Sequence, residues 1–490
     1  MRTVCLGLAL WLAATVPAGA DQPNPQLVKG QAALNAALAR TPNVKKAKNV
    51  ILFIGDGMGI NSVTAGRIFA GQKRGLDGAS YQLSFETFPY TGFSKTYSAD
   101  KLVTDSANGI SAIMTGVKTI NAAIGVDDHV IAKDCASALK TRVQTLAERA
   151  KLSGLSAGIV TTAGVTDATP AGAYGHVPFR GWRADVDLPP EAVQAGCIDL
   201  ARQLIEAPAA VRMDVVLGGD REDFLPRGTG DGRRGDGRDL TKAWQAQGGR
   251  TALLSDAAGL KAMDAGKTDR VLGLFAQGDL PSPVDTAEHA DVPALDDMTA
   301  AAIGVLAKNP KGYFLMVESA SIDKWHHHNN AYRALTDVDE LSKAVQKAMA
   351  MTDPDDTLII VTADHSHGLV ISAGSTREEP IMGLVRNHGE IMPDGNGRPR
   401  TTLSYATGPG GQKDGTASAP LTEDQVLSPD YRQPALAYMD SAQHAGEDVP
   451  VYATGPRAWL LSGTFESSYI YQVMAHALDL DHASTQETQK

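Results

Sequence analysis

The chain has 490 residues, 43% hydrophobic and 21% charged, enough to bury a large core and with no compositional reason to expect disorder. Its formal charge of −11, with Lys and Arg dispersed along the chain, argues against a nucleic-acid-binding face. An anionic substrate therefore needs a local positive site, which bound divalent cations can supply.

Near the start, one Arg, the apolar segment Leu6–Val16 and the small residues Ala18-Gly19-Ala20 before Asp21 read as a secretory signal, residues 1–20, cleaved near Ala20. The alternative, a transmembrane anchor, is disfavoured because the apolar stretch is short for a bilayer, and no later stretch is long enough. The expectation is a periplasmic or secreted protein without a membrane anchor, whose remaining cysteines, Cys135 and Cys197, form one disulfide. In the loop-entropy model such a bridge contributes roughly 4 kcal/mol. Length alone allows about two to four domains, yet large α/β enzymes often use one sheet with insertions. Residues 21–490 are read as a single domain with an insertion at about 371–443, rich in Gly and Pro.

Asp21–Lys48 is a polar, alanine-rich lead-in. Asn49–Ile54 predicts a buried strand breaking into the turn Gly55-Asp56-Gly57-Met58-Gly59, so Asp56 emerges at a strand end where an ion or ligand can approach; the plain alternative is a turn aspartate. Tyr81–Tyr97 predicts strand pairing. Small and apolar residues at helical spacing follow Ser106, and Gly116 stops them, which puts Ser106 at or near a helix N-terminus. By frequency such a serine is an N-cap, but the free N–H groups and dipole there also favour a phosphate and an alkoxide. Thr141–Ser153 predicts a surface helix and Ser156–Thr162 a strand. Asp167 and Thr169 then offer hard oxygens suited to Mg²⁺, and Arg180 a two-pronged donor for a phosphoryl group, although a lone loop arginine is usually a surface charge. His176 reads as structural.

Met213–Leu217, Thr251–Leu254 and Val271–Phe275 predict strands, residues 230–239 a solvated loop, and Leu295–Leu306 a helix. The organising stretch is Tyr313–Asn330. An apolar strand, Tyr313–Val317, delivers Glu318 just past its carboxyl end, and Asp323 precedes the triple histidine His326, His327 and His328. On a helix, Asp323 and His327 share a face four residues apart and close on one metal, while His328 rotates away; His326 is left behind the ligands or facing solvent. A helix over about 333–351 follows, then a buried strand, Thr357–Thr362, ending in Asp364-His365, a good ligand pair. His444 precedes one more strand, and a helix over about 468–478 closes the chain. Strands alternating with helices predict an α/β fold.

Six ordered motifs, from Gly-Asp-Gly-Met-Gly at Asp56 to His-Ala-Gly-Glu-Asp-Val-Pro-Val-Tyr-Ala at His444, together resemble the alkaline phosphatase family of the bacterial, signal-bearing type. The resemblance implies a three-layer α/β/α sandwich with a central, mostly parallel sheet. It implies two zinc ions, one held by Asp323, His327 and His444, the other by Asp364, His365 and Asp56. It also implies one magnesium, held by Asp56, Thr169 and Glu318, with Asp167 behind it through a water. Ser106 matches the family nucleophile, Arg180 the phosphate clamp, and Lys324 a phosphate-contacting lysine partnered by Asp167. That Asp/Lys pair resembles the enterobacterial type. The implied activity is hydrolysis of a broad range of phosphate monoesters through a phosphoserine, and the implied assembly is a homodimer, which nothing in the residues derives. A phosphodiesterase or phosphonate hydrolase shares the two-metal core, and Thr169 and Glu318 discriminate against it; a sulfatase lacks support because no cysteine stands at Ser106. A metal-binding protein without catalysis needs neither Ser106 nor Arg180.

Overall fold

The computed structural model describes residues 24–285, 287–372, 374–413 and 421–480, so the expected signal segment lies outside the described residues. The chain divides into two compact units, residues 1–42 and 43–490. In the first, Asn24 caps the helix Pro25–Ala39, and none of that helix's residues is buried. The second carries everything that follows. No helix among the described residues is long and apolar enough to cross a membrane.

Ten strands form the main sheet of the second unit. From one edge they run Gly463–Glu466, Tyr90–Lys95, Val449–Thr454, Thr357–Thr362 and Asn49–Gly55, then Tyr313–Ser319, Ser156–Gly164, Val215–Gly219, Arg270–Leu274 and Thr251–Leu254. Only Val449–Thr454 runs antiparallel to its neighbours. The central strand shows why the sheet is covered on both faces. Successive residues of a strand point to opposite sides, and Val50, Leu52 and Ile54 join one core with Ile110, Ile113 and Met114, while Ile51 and Phe53 join another with Val338, Leu341 and Val345. Helices therefore pack on each face, and the α/β sandwich is established.

Several boundaries differ from the sequence reading. Tyr90–Lys95 alone is a strand in the 81–97 stretch, because Ser84–Thr87 turns into a 3₁₀ segment that packs Phe85 into the core. The helix expected over Thr141–Ser153 covers only Leu146–Leu152; Thr145 caps it in a reciprocal box with Glu148. Residues 230–239 are not a solvated loop throughout. Arg234 is fully buried, donating to both oxygens of Asp199 at 3.0 Å, and Arg233 grips Asp187 at 2.7 and 2.8 Å. The disulfide Cys135–Cys197 is formed.

Within residues 371–443, Leu403–Gly408 and Ala435–Tyr438 join Leu369–Ile371 in a small sheet. Its Tyr405 reaches the triple-histidine helix. The main sheet's register sets the site: Thr362, Ile54, Glu318 and Thr161 lie in one row across four adjacent strands, so the chain leaves three of them at nearly the same level.

Candidate metal and nucleophile site

Asp56 follows the central strand, and the next residue, Gly57, has φ 64°, where a β-carbon would also stand 3.0 Å from the Asp323 side chain. Glycine there lets Asp56, at the end of its strand, and Asp323, on the helix Ser321–His327, come to the same place. The helix Ser321–His327 presents Asp323 and His327 one turn apart, Oδ2 to Nε2 3.2 Å. Antiparallel pairing of His444 with His367 brings in the last segment, and His444 Nε2 lies 3.2 Å from His327 Nε2 and 3.6 Å from Asp323 Oδ1.

Ser106 is the first residue of the buried helix Ser106–Thr115, and its N-cap is Asp105, whose carboxylate accepts from Asn108 N; Ser106 is thus free of the capping role. Its hydroxyl donates to His365 Nε2 at 3.2 Å. The same Nε2 lies 3.3 Å from Asp56 Oδ1 and 3.5 Å from Asp364 Oδ2. Gly109 lets this helix approach, since a β-carbon there would meet Asp364 at 2.9 Å.

The histidines divide by tautomer. His327, His365 and His444 each donate Nδ1–H to a backbone carbonyl, of Ala442, Ser366 and Thr104 at 2.6, 3.1 and 3.0 Å. In the neutral ring each Nε2 then keeps a bare lone pair, the state a metal ligand needs. His367, which the sequence reading left out, has the opposite tautomer. Its Nδ1 accepts from Gly368 N, which puts the proton of the neutral ring on Nε2; that atom lies 3.5 Å from Asp323 Oδ1 without a hydrogen bond among the described residues. The signal was its spacing of two from His365, which returns the side chain to the same side of the strand. His326 uses both nitrogens, on Tyr405 at 2.7 Å and Ser62 at 2.9 Å, and is fully buried; it stands behind the cluster and not in solvent.

Arg180 donates to Asp167 at 3.0 Å and to Asp105 at 3.5 Å. It is half-buried, not a surface charge. Lys324 pairs with Asp167 at 3.0 Å, as expected, and with Asp279 at 2.6 Å, a partner the sequence reading missed because nothing local marks it. Asp105 was missed as well, although a capping carboxylate beside a candidate nucleophile is a legible signal. Glu318 accepts from Thr161 within the last residues of its strand, and Thr169 stands in the short turn that Asp167 caps. His176 bonds Gly125 O and Glu148 away from these groups, as a structural histidine does.

The electrostatics fit bound cations. Asp56 Oδ1, Asp323 Oδ1, Asp364 Oδ2 and Thr169 Oγ1 are buried without a hydrogen-bond partner among the described residues. Two bare Nε2 lone pairs face each other at 3.2 Å, which needs a positive charge between them. Burial, followed by the charges of Asp364, Asp323 and Glu318, holds the Asp56 carboxyl well above its ordinary range, and burial pushes Glu318 up to about 8. Asp167 moves the other way: against its burial, Lys324 and then Arg180 hold it well below. The donor set is carboxylate, imidazole and hydroxyl, suited to zinc and magnesium.

The profile described as alkaline phosphatase matches residues 47–480. The tissue-nonspecific alkaline phosphatase of Gallus gallus is 37% identical over 479 residues, covering 95% of this chain and 91% of that protein. The alkaline phosphatase of Gadus morhua is 37% identical over 475 residues, covering 93% and 98%. Among solved structures, the alkaline phosphatase of the Antarctic bacterium TAB5 superposes with a TM-score of 0.61 at 25% identity, covering 89% of this chain and 99% of its own. That of Thermus thermophilus reaches 0.65 at 22% identity, covering 91% and 94%, and shares the fold. The chain belongs to the alkaline phosphatase family, a family of metal-dependent phosphomonoesterases.

Proposed function

We propose that this chain hydrolyses a broad range of phosphate monoesters through a phosphoserine on Ser106, beside two zinc ions and one magnesium. The observation that carries this is the set of three histidines with carbonyl-bound Nδ1 and bare Nε2, converging with partnerless carboxylate oxygens around one serine hydroxyl. Asp323, His327 and His444 would hold one zinc and Asp56, Asp364 and His365 the other. Asp56, Thr169 and Glu318 would hold the magnesium, with Asp167 behind it. When bound, these metals supply the positive charge that lowers the pKa of the serine hydroxyl and of water and neutralises the leaving oxygen.

The chain's own groups do the rest. Ser106 Oγ loses its proton and attacks phosphorus in line; the Oγ–P bond forms as the ester P–O bond breaks and the alcohol leaves. Its position on the first turn of a buried helix aims free N–H groups at the anion. Arg180 spreads two donors over the equatorial oxygens, and its salt bridges to Asp167 and Asp105 set the plane of the guanidinium. Lys324 stays protonated between Asp167 and Asp279 and adds a charge facing the phosphoryl group. Water then attacks the same phosphorus, the Oγ–P bond breaks, and Ser106 regains its proton. Recognition rests on the phosphoryl group alone. Beside it, an open groove lined by Asp279, Lys324, Trp325, His328 and Ser441 leaves room for varied alcohols, which supports broad specificity. The Cys135–Cys197 disulfide supports an oxidising location, in the periplasm or outside the cell.

The test is hydrolysis of an aromatic phosphate monoester at mildly alkaline pH, beside the matching diester, on enzyme stripped by chelator and refilled with zinc and magnesium. Monoester turnover that needs both metals, and that falls on the order of 10⁴-fold or more in Ser106→Ala with metal content unchanged, is the expected result. Preference for the diester, or full turnover by Ser106→Ala, overturns it.

A further inference from the structure

We propose that the cavity under residues 280–283 and 292–295 is a binding site for a hard divalent cation, calcium or magnesium, held by Asp337 and Glu340 and separate from the catalytic cluster. The cavity has a volume of about 150 Å³, and its polar lining comprises Thr162, Ser282, His289, Asp337 and Glu340. Asp337 lies on the long helix Ala331–Met351 and is only 1% exposed, yet neither of its carboxylate oxygens has a hydrogen-bond partner among the described residues. Buried carboxylates are ordinarily paired, because an ionised oxygen out of water and without a partner is strongly disfavoured.

Among the described residues, no neighbouring cation pairs with it. Arg333, one turn earlier on the same helix, is committed to Asp285 at 2.6 and 3.0 Å and to Asp430 at 2.9 Å. Lys343 is committed to Glu340 at 2.6 Å. Glu340 lies three residues beyond Asp337, on the same face, so a second carboxylate lines the same cavity. Burial, and then the Glu340 charge, hold the Asp337 carboxyl well above its ordinary range, with Arg333 opposing. A divalent ion reverses that balance by neutralising Asp337, with Glu340 exchanging Lys343 for the ion.

The donor chemistry selects the class of ion. Two carboxylates and the buried Ser282 hydroxyl are hard oxygens, and the lining described holds no thiolate and one imidazole, His289. That set suits calcium or magnesium with part of its water retained, and not zinc. The position also gives the ion a consequence. Asp279, at the head of the segment, pairs with Lys324, and Leu280 N donates to Thr162 O at 2.9 Å. Ser319, next to Glu318, donates its hydroxyl to the Asp337 carbonyl at 3.3 Å. An ion bridging the helix to this segment braces one wall of the phosphate groove from behind.

The experiment uses the full chain already saturated with zinc and magnesium, freed of excess ions, and titrated with calcium chloride or with magnesium chloride by calorimetry, with elemental analysis of the metals retained. The expected result is one further calcium or magnesium per chain. Asp337→Asn abolishes that binding and Glu340→Gln weakens it at least tenfold, both with zinc content and basal monoester turnover retained. The idea is overturned if the wild type takes up no further ion, or if Asp337→Asn or Glu340→Gln binds it as tightly as the wild type. Should Asp337→Asn not fold, the near-surface Glu340→Gln and the wild-type stoichiometry still decide. An Asp337→Asn protein more stable than the wild type in the absence of both ions, with no extra ion in either, makes Asp337 a neutral buried acid instead.

Discussion

The segment around Arg233 and Arg234 and the cluster around Asp56 both bury several carboxylates, and they are neutralised in opposite ways. In the first, Asp187, Asp199, Asp223 and Asp236 are each met by an arginine from the chain, with Arg183 adding contacts to Asp220 and Asp223. In the second, Asp56, Asp323 and Asp364 face histidine nitrogens, Glu318 accepts from Thr161, and several oxygens have no hydrogen-bond partner among the described residues. A buried ion network that balances itself is scaffolding. One that stays unbalanced and points inward is built for a charge from outside the chain.

Stripping the metals should break the comparison most strongly. Turnover falls to background, and the fold loses about 4 kcal/mol for each ion that had been held at a thousand times its Kd. Tryptic cleavage around Arg233 and Arg234 stays slow in the same sample, because that segment owes nothing to metal; rapid cutting there would equate the two regions. Next in size, Arg234→Met leaves Asp199 buried and unpaired and costs about 3–5 kcal/mol in urea unfolding, while adding Asp199→Leu recovers part of the loss. Monoester turnover per folded molecule is unchanged in both.

Particular carboxylates of the two regions should also respond to pH with opposite sign in the metal-free protein, Asp56 and Glu318 against Asp187. Asp56 and Glu318 have carboxyls raised in the fold, so the folded state holds more protons than the unfolded one and stability falls as pH rises from their ordinary values, toward about 8 for Glu318. Asp56→Asn therefore stabilises metal-free protein at pH 8, by about 1.4 kcal/mol for each pKa unit it relieves, although it abolishes turnover with metals present. Asp187 is held low by Arg233 against its burial, so its contribution is present above its unfolded value and is lost on acidification. Thermal melts of the stripped protein at pH 5 and pH 8 read the difference. The smallest expected effect is that of Asp279→Asn. It frees Lys324 to follow substrate and changes KM by a few fold with kcat nearly intact; loss of kcat would put Asp279 on the reaction itself.

Much of the candidate site's geometry was legible because its residues sit at strand ends and on one helix turn, where local periodicity determines direction. Asp56, Glu318, Asp364 and the Asp323–His327 pair belong to that class, and the buried strand Thr357–Thr362 has the limits its apolar run predicts. The solvated reading of residues 230–239 failed because Gly and Asp usually mark exposed turns, and only the distant Asp199 and Asp187 explain why the arginines there are buried. His367 stayed hidden for a related reason. Its place beside Asp323, His327 and His444 depends on a pairing with His444 that no local pattern reveals.

What the sequence by itself determined was the order of strands and helices, the family, and which side chains stand where chain direction changes, since these follow from short-range spacing and apolar runs. Only the tertiary structure decided which of them meet, which nitrogen of each histidine is bare, and which buried carboxylates find an arginine. Those outcomes depend on contacts between residues far apart in the chain, where burial turns a missing partner into a demand for a bound ion.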